Sequence, residues 1–219
     1  MKKRNLLLAA LLLILVAPSF AAKVDTLLVN SPSMNKDVQV VVVTPDAALG
    51  KKAVACPVIY LLHGYGGNAK TWIGVKPDLP QIADEKGIIF VCPDGKNSWY
   101  WDSPKDPSYR YETFVSSELV KYIDGHYKTI ADRKGRAITG LSMGGHGAMW
   151  NAIRHKDTFG AGGSTSGGMD IRPFPKNWDI AKQLGEYESN KEVWDNHTVI
   201  NQIDKIENGD LAIIVDCGE

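Results

Sequence analysis

Cysteine is scarce in this chain. Cys56, Cys92 and Cys217 are the three in 219 residues, an odd number that offers no disulfide framework. Each lies at one end of a strand signal (ACPVIYLL, IIFVCPDG, LAIIVDCGE), so all three read as buried free thiols, and no motif sets a histidine beside one to make it catalytic. Histidine is also sparse, with five residues and no two at ligand spacing, so no metal site is expected. No motif marks a nucleotide site, and no cofactor is expected. Excess charge is missing too: 25 basic residues face 25 acidic ones, which gives no reason to expect nucleic acid or an anionic membrane as partner. There is no repeat, low-complexity tract or linker. With 44% hydrophobic and 23% charged residues, the chain has the composition of one globular α/β domain.

A membrane-spanning run is absent as well. Leu6–Val16 is apolar for about 11 residues, against the roughly 20 a bilayer requires. With Lys2-Lys3-Arg4 before it and small residues from Pro18 to Ala22 after it, the stretch 1–21 reads as a signal peptide cleaved after Ala21, with Ser19 and Ala21 at the −3 and −1 positions. No cysteine follows, so no lipid anchor is expected there. The reading makes 22–219 the folded domain of an exported protein, periplasmic or secreted, with 22 basic against 25 acidic residues.

Within 22–219, strand signals recur at Val24–Val29, Val38–Val43, Val58–Leu62, Ile88–Val91, Arg136–Thr139, Ala161–Thr165 and Leu211–Val215. Helical patterns fall at Pro80–Lys86, Phe114–His126 and Gly144–Arg154. Continuous apolar strands between helices predict a doubly wound, mostly parallel sheet with its ligands at the carboxyl ends of the strands. The first two strands are expected to pair. Asp170–Asp210, carrying Trp178, Tyr187 and Trp194, is too long for a simple crossover and is expected to pack over or beside the site.

Two motifs carry chemistry. Gly140-Leu141-Ser142-Met143-Gly144, between a strand and a helix, reads as a nucleophile elbow that exposes the Ser142 hydroxyl at the sheet edge. His63-Gly64-Tyr65-Gly66-Gly67, at the exit of Val58–Leu62, reads as an oxyanion loop. The two backbone donors would be Tyr65 and Met143, with His63 and Gly64 shaping the loop. His63 is not expected to be the general base. His146 should point into the fold, His126 and His155 sit at helix ends, and His197 lies in the insertion, so none of these reads as catalytic.

Together with LLHGYGGNAKTW (Leu61–Trp72), VCPDG (Val91–Gly95), the run from Tyr122 to Arg133, GLSMGGHGA (Gly140–Ala148) and IIVDCG (Ile213–Gly218), the chain resembles the esterase D family. That family includes S-formylglutathione hydrolases, feruloyl and acetyl-xylan esterases, and mycolyltransferases. The resemblance implies an α/β-hydrolase fold, a three-layer sandwich around a mostly parallel sheet, and a Ser-Asp-His triad with Ser142 as nucleophile. It also implies that the triad aspartate and histidine, the last strand and the closing helix follow Glu219. The chain as given is therefore expected to be truncated, nearly inactive and marginally stable, with Asp216 a poor substitute acid.

Asn97–Trp101, with Tyr109 and Tyr111, gathers aromatic residues in a loop beside the oxyanion motif. Trp99 and Trp101 are candidates to stack on a sugar or feruloyl ring, or else they pack the loop. The expected activity is ester hydrolysis on a small molecule or polysaccharide bearing acetyl or feruloyl groups. An acyltransferase of the mycolyltransferase kind, or a binding protein without a triad, are the alternatives.

Overall fold

A computed structural model describes residues 22–218. The signal peptide expected over 1–21, with its cleavage after Ala21, lies outside the described residues. Among the described residues no helix is long and apolar enough to cross a membrane.

Seven strands form one sheet: β1 (Lys23–Ser31), β2 (Lys36–Thr44), β3 (Val58–Leu62), β4 (Ile89–Pro93), β5 (Arg136–Gly140), β6 (Ala161–Thr165) and β7 (Ala212–Asp216), in the spatial order β1-β2-β4-β3-β5-β6-β7. The leading pair β1–β2 is antiparallel, and β2 is antiparallel to β4. From β4 across to β7 every pairing is parallel. The expected strands are all present, with ends moved by a residue or two.

The period-two alternation of strands divides each run between two cores. Val40, Val42, Tyr60, Leu62 and Ile138 face the helices at 111–126 and Met143–Arg154. Val41, Val43, Leu61 and Phe90 face the opposite layer, where helix Leu79–Lys86 contributes Leu79 and Ala83. Val40, Val41, Val42 and Val43 are all fully buried, each worth about 1.5–3 kcal/mol, which fixes β2 as a strand covered on both faces. The helix expected at Phe114–His126 begins earlier, at Tyr111, and passes through a π-helical segment at Phe114–Glu118.

The far side of the sheet is less covered. Ile59, Ala137, Thr139, Ala161 and Ile214 line an open apolar groove across β3, β5, β6 and β7, and Ile213, Ile214 and Val215 are 43%, 76% and 58% exposed. The cysteine expectation needs one correction here. Cys56 and Cys92 are buried, but Cys217, just past β7, is exposed because no described element covers that edge. Burial pushes the Cys92 thiol up to about 12, which removes it as a nucleophile.

Candidate active site

β5 ends at Gly140, and the chain turns within two residues into the helix Met143–Arg154. Ser142 sits at φ 56°, ψ −117°, a conformation that L residues avoid. Its neighbours hold it there. Leu141 N–H donates to Leu62 O at 3.2 Å, Ser142 N–H to Thr165 O at 2.8 Å, and His146 N–H to Ser142 O at 3.0 Å. A side chain at Gly144 would overlap the Leu62 and His63 backbone, so the second glycine of the motif is a packing requirement. The outcome is an exposed serine at the N-terminus of a 12-residue helix, where the dipole favours negative charge.

The His63–Gly67 loop lies directly against this elbow. A Cβ built on Gly64 would stand 3.5 Å from Ser142 Cβ. Gly67 N–H donates to Gly64 O at 3.0 Å, closing a turn whose third residue, Gly66, has φ 75°. Neither the Tyr65 nor the Met143 amide finds an acceptor among the described residues. His63 is buried. Gly95 N–H donates to its Nε2 at 2.9 Å, so Nδ1 carries the proton and donates to Gly64 O at 2.8 Å. The Tyr100 hydroxyl bridges the His63 N–H and C=O at 3.0 and 3.2 Å. His63 therefore ties the loop to the exit of β4, as a loop-shaping residue should.

Ser142 opens into a cavity of about 360 Å³, with Met143, Trp99, Met169, Phe174 and Trp178 in its wall. Trp99 Nε1–H donates to Trp178 O at 3.1 Å, and the Phe174 and Trp178 rings lie 5.1 Å apart. Phe174 and Trp178 come from the long stretch after β6, which packs beside the site as expected, whereas Trp194 is buried in the core. The expectation for Trp101 is corrected. Its side chain is fully buried, edge-on to His146 and Trp150 with ring centroids 4.9 and 6.4 Å away, so it packs the loop and presents no face to a ligand. Phe174, Met169 and Ile171 escaped sequence reasoning because their stretch matches no motif.

The histidines are spoken for. Burial drives His146 down to about 4, despite its Nδ1–H bond to Gly168 O at 2.7 Å. Burial also lowers His197, whose ring stacks on Trp150 at 5.5 Å. His126 bonds to Tyr122 O and His155 to Glu112. Among the described residues no histidine or carboxylate hydrogen-bonds to the Ser142 hydroxyl, and no group of three His, Cys, Asp or Glu could hold a metal ion. Asp170, in the cavity wall, is paired with Arg172 at 2.8 Å, which holds its carboxyl below the ordinary range. Asp216 touches the site through its backbone, its carbonyl accepting from Ser166 N–H at 2.8 Å.

One further contact frames the site. The Tyr65 hydroxyl donates to Asp179 Oδ2 at 2.8 Å, linking the turn to the stretch after Trp178. Lys182 and Tyr65 together hold the Asp179 carboxyl below its ordinary range.

A mostly parallel sheet with helices on both faces, a strained serine between strand and helix, and a glycine turn against it define an α/β-hydrolase-fold protein. Residues 31–219 match the sequence pattern of the family described as "Putative esterase", and the chain belongs to that family. It is 34% identical over 170 residues to the MPT51/MPB51 antigen of Mycobacterium tuberculosis, covering 76% of this chain and 53% of the relative. It is 35% identical over 161 residues to the diacylglycerol acyltransferase/mycolyltransferase Ag85A of Mycobacterium leprae, covering 67% and 44%. The chain thus spans about half the length of these two relatives. A solved ferulic acid esterase structure superposes with a TM-score of 0.72 at 31% identity, covering 90% of this chain and 79% of that one.

Proposed function

We propose that the site hydrolyses carboxylic esters through an acyl-enzyme on Ser142. The observation that carries this reading is the exposed Ser142 hydroxyl at the strained elbow, beside a turn and a helix start whose Tyr65 and Met143 amides have no described acceptor. Ser142 Oγ attacks the ester carbonyl, and the carbonyl oxygen takes up the negative charge within reach of those amides. The C–O bond then breaks, the alcohol leaves with a proton, and water releases the acid. Losing one such donor costs about 2.7–4 kcal/mol of transition-state stabilisation.

The Ser142 proton must pass to a base, and no described histidine is placed to take it. Without such a base the serine is a neutral and weak nucleophile. Aromatic walls at Phe174 and Trp178 favour an aromatic or extended acyl group such as feruloyl over a small one such as acetyl, on a carbohydrate alcohol. The basic, apolar and small-residue order of 1–21 supports export, with cleavage near Ala21.

Labelling with a fluorophosphonate tests the nucleophile: slow labelling that Ser142→Ala abolishes is expected. Labelling that persists in Ser142→Ala overturns the assignment. The similarity to a mycolyltransferase favours one second reading, transfer of the acyl group to a sugar hydroxyl instead of water, which product analysis with a sugar acceptor separates. No labelling of this chain under any condition would count against Ser142 as the nucleophile and favour the binding-protein reading.

A further inference from the structure

Ala22, the residue before β1, is buried at 7% exposure. Its methyl packs in the core beneath helix Leu79–Lys86, with Val41, Val43, Leu61, Leu79 and Ala83. Its nitrogen donates to Asp84 Oδ2 on that helix at 2.7 Å, and Asp84 Oδ1 accepts from Asp46 N–H, also at 2.7 Å. One half-buried carboxylate thus gathers three segments: the start of β1, the chain just past β2, and the helix packed against them.

Among the described residues no lysine, arginine or histidine forms an ion pair with Asp84. The charged groups around it are turned to other uses. Lys23, next to Ala22, is paired with Asp25 at 3.0 Å. Asp46 meets Asp84 through its backbone, and Glu85 and Lys86 lie on the exposed side of the helix. From the sheet below, β3 contributes Leu61 and β4 contributes Phe90 and Cys92, whose thiol burial pushes up to about 12. The Ala22 nitrogen is therefore the group placed to answer the Asp84 charge.

We infer that Ala22 is the N-terminus of the mature chain, and that its α-ammonium forms an ion pair with Asp84 that exists only after processing. The inference rests on the export reading of residues 1–21. In the unprocessed chain the Ala22 nitrogen is a peptide N–H, a neutral donor. Hydrolysis of the Ala21–Ala22 bond by a signal peptidase consumes one water, leaving a carboxylate on Ala21 and an ammonium on Ala22. The same 2.7 Å contact then joins opposite charges, and charge-assisted hydrogen bonds are roughly twice as strong as neutral ones. Cleavage one bond later would remove this nitrogen, and cleavage one bond earlier would leave it an amide. Strand β1 is an edge of the sheet, and chain termini fray unless tied down. Processing thus fastens the edge strand to the helix layer.

The test is urea unfolding of the exported, processed chain and of its Asp84→Asn variant, with the N-terminus of each read by mass spectrometry. A free α-ammonium titrates at about 7.7–8.0, and a carboxylate beside it raises the folded value. Its stabilisation is therefore whole below that range and is lost as pH rises through the folded value. The expected result is a terminus at Ala22, with an Asp84→Asn penalty in the unfolding equilibrium constant about five- to tenfold larger near pH ~6.5 than near pH ~9.5. Groups that titrate elsewhere, such as the exposed Cys217 thiol, act on both proteins and cancel. A glycine inserted between Ala21 and Ala22 moves the ammonium one residue away, and should make the penalty independent of pH. If Asp84→Asn does not fold, the inserted chain against the unaltered one carries the same comparison. A terminus other than Ala22 overturns the cleavage reading and the inference with it. A terminus at Ala22 with a penalty that does not change with pH overturns the ion pair alone.

Discussion

Acidification should loosen the far end of the elbow helix through Glu112. This buried carboxylate accepts from Trp150 Nε1 at 2.8 Å, Arg154 Nε at 2.8 Å and His155 Nε2 at 2.9 Å, all three on or just after that helix. Burial works against its ionisation, but the bonds from His155, Arg154 and Trp150 outweigh it and bring the carboxyl down from the ordinary 4.5 to about 2. Because the folded pKa lies below the unfolded one, the stabilisation is whole above about pH 5 and is lost as pH falls through about 2. The gap corresponds to ~3 kcal/mol at neutral pH and ~1 kcal/mol near pH 3. Glu112→Gln removes the charge and sets an amide N–H₂ against donors. Arg154 and His155 are 34% and 33% exposed, so water compensates in part and the expected loss at neutral pH is ~2–3 kcal/mol. The assay is urea unfolding of both proteins by tryptophan fluorescence, at neutral pH and near pH 3. The gap between them should narrow to ~1 kcal/mol in acid. A gap that stays constant with pH would refute the linkage.

Other substitutions separate site from scaffold. Trp101→Ala should cost about 3–5 kcal/mol in unfolding free energy, whereas Trp178→Ala, at a position 43% exposed, should stay within ~1 kcal/mol and weaken ferulate binding instead; equal stability losses would contradict the burial pattern. Gly144→Ala forces a methyl into backbone atoms of Leu62 and His63, and should lower the unfolding free energy read from urea titration by more than ~2 kcal/mol; a neutral result would mean the elbow can relax. Ile214→Lys on the open strand β7 should reduce concentration-dependent association in sedimentation, and no change would show that this edge is not what associates.

Much of the architecture was legible from periodicity. Continuous apolar runs at Val40–Val43 and Val58–Leu62 left room only for strands covered on both faces. The elbow and the His63–Gly67 turn were legible because a Cβ at Gly67, Gly140 or Gly144 would collide with its neighbours, and Gly66 adopts a positive φ. Trp101 was not: a loop tryptophan that packs a core and one that stacks on a ligand carry the same letter, and only the neighbouring His146 and Trp150 rings decide. Phe174 and the Tyr65–Asp179 bond were equally hidden, since a contact across 114 residues leaves no local pattern.

Eight non-glycine residues among those described have positive φ: Asn35, Lys96, Trp99, Tyr100, Ser142, Ser166, Trp178 and Asp179. Six of them line either the Ser142 cavity or a second cavity bordered by Gly66 and Gly67, and Tyr100 braces the histidine between β3 and the turn. Each carries a conformational cost on the order of 1–3 kcal/mol. Selection for stability and selection for function therefore pull in opposite directions at the same backbone positions. A library of this chain sorted by thermal resistance alone would enrich glycine and asparagine at the exposed positions 96, 142, 166 and 178, and would erode the two cavities' walls while improving the fold.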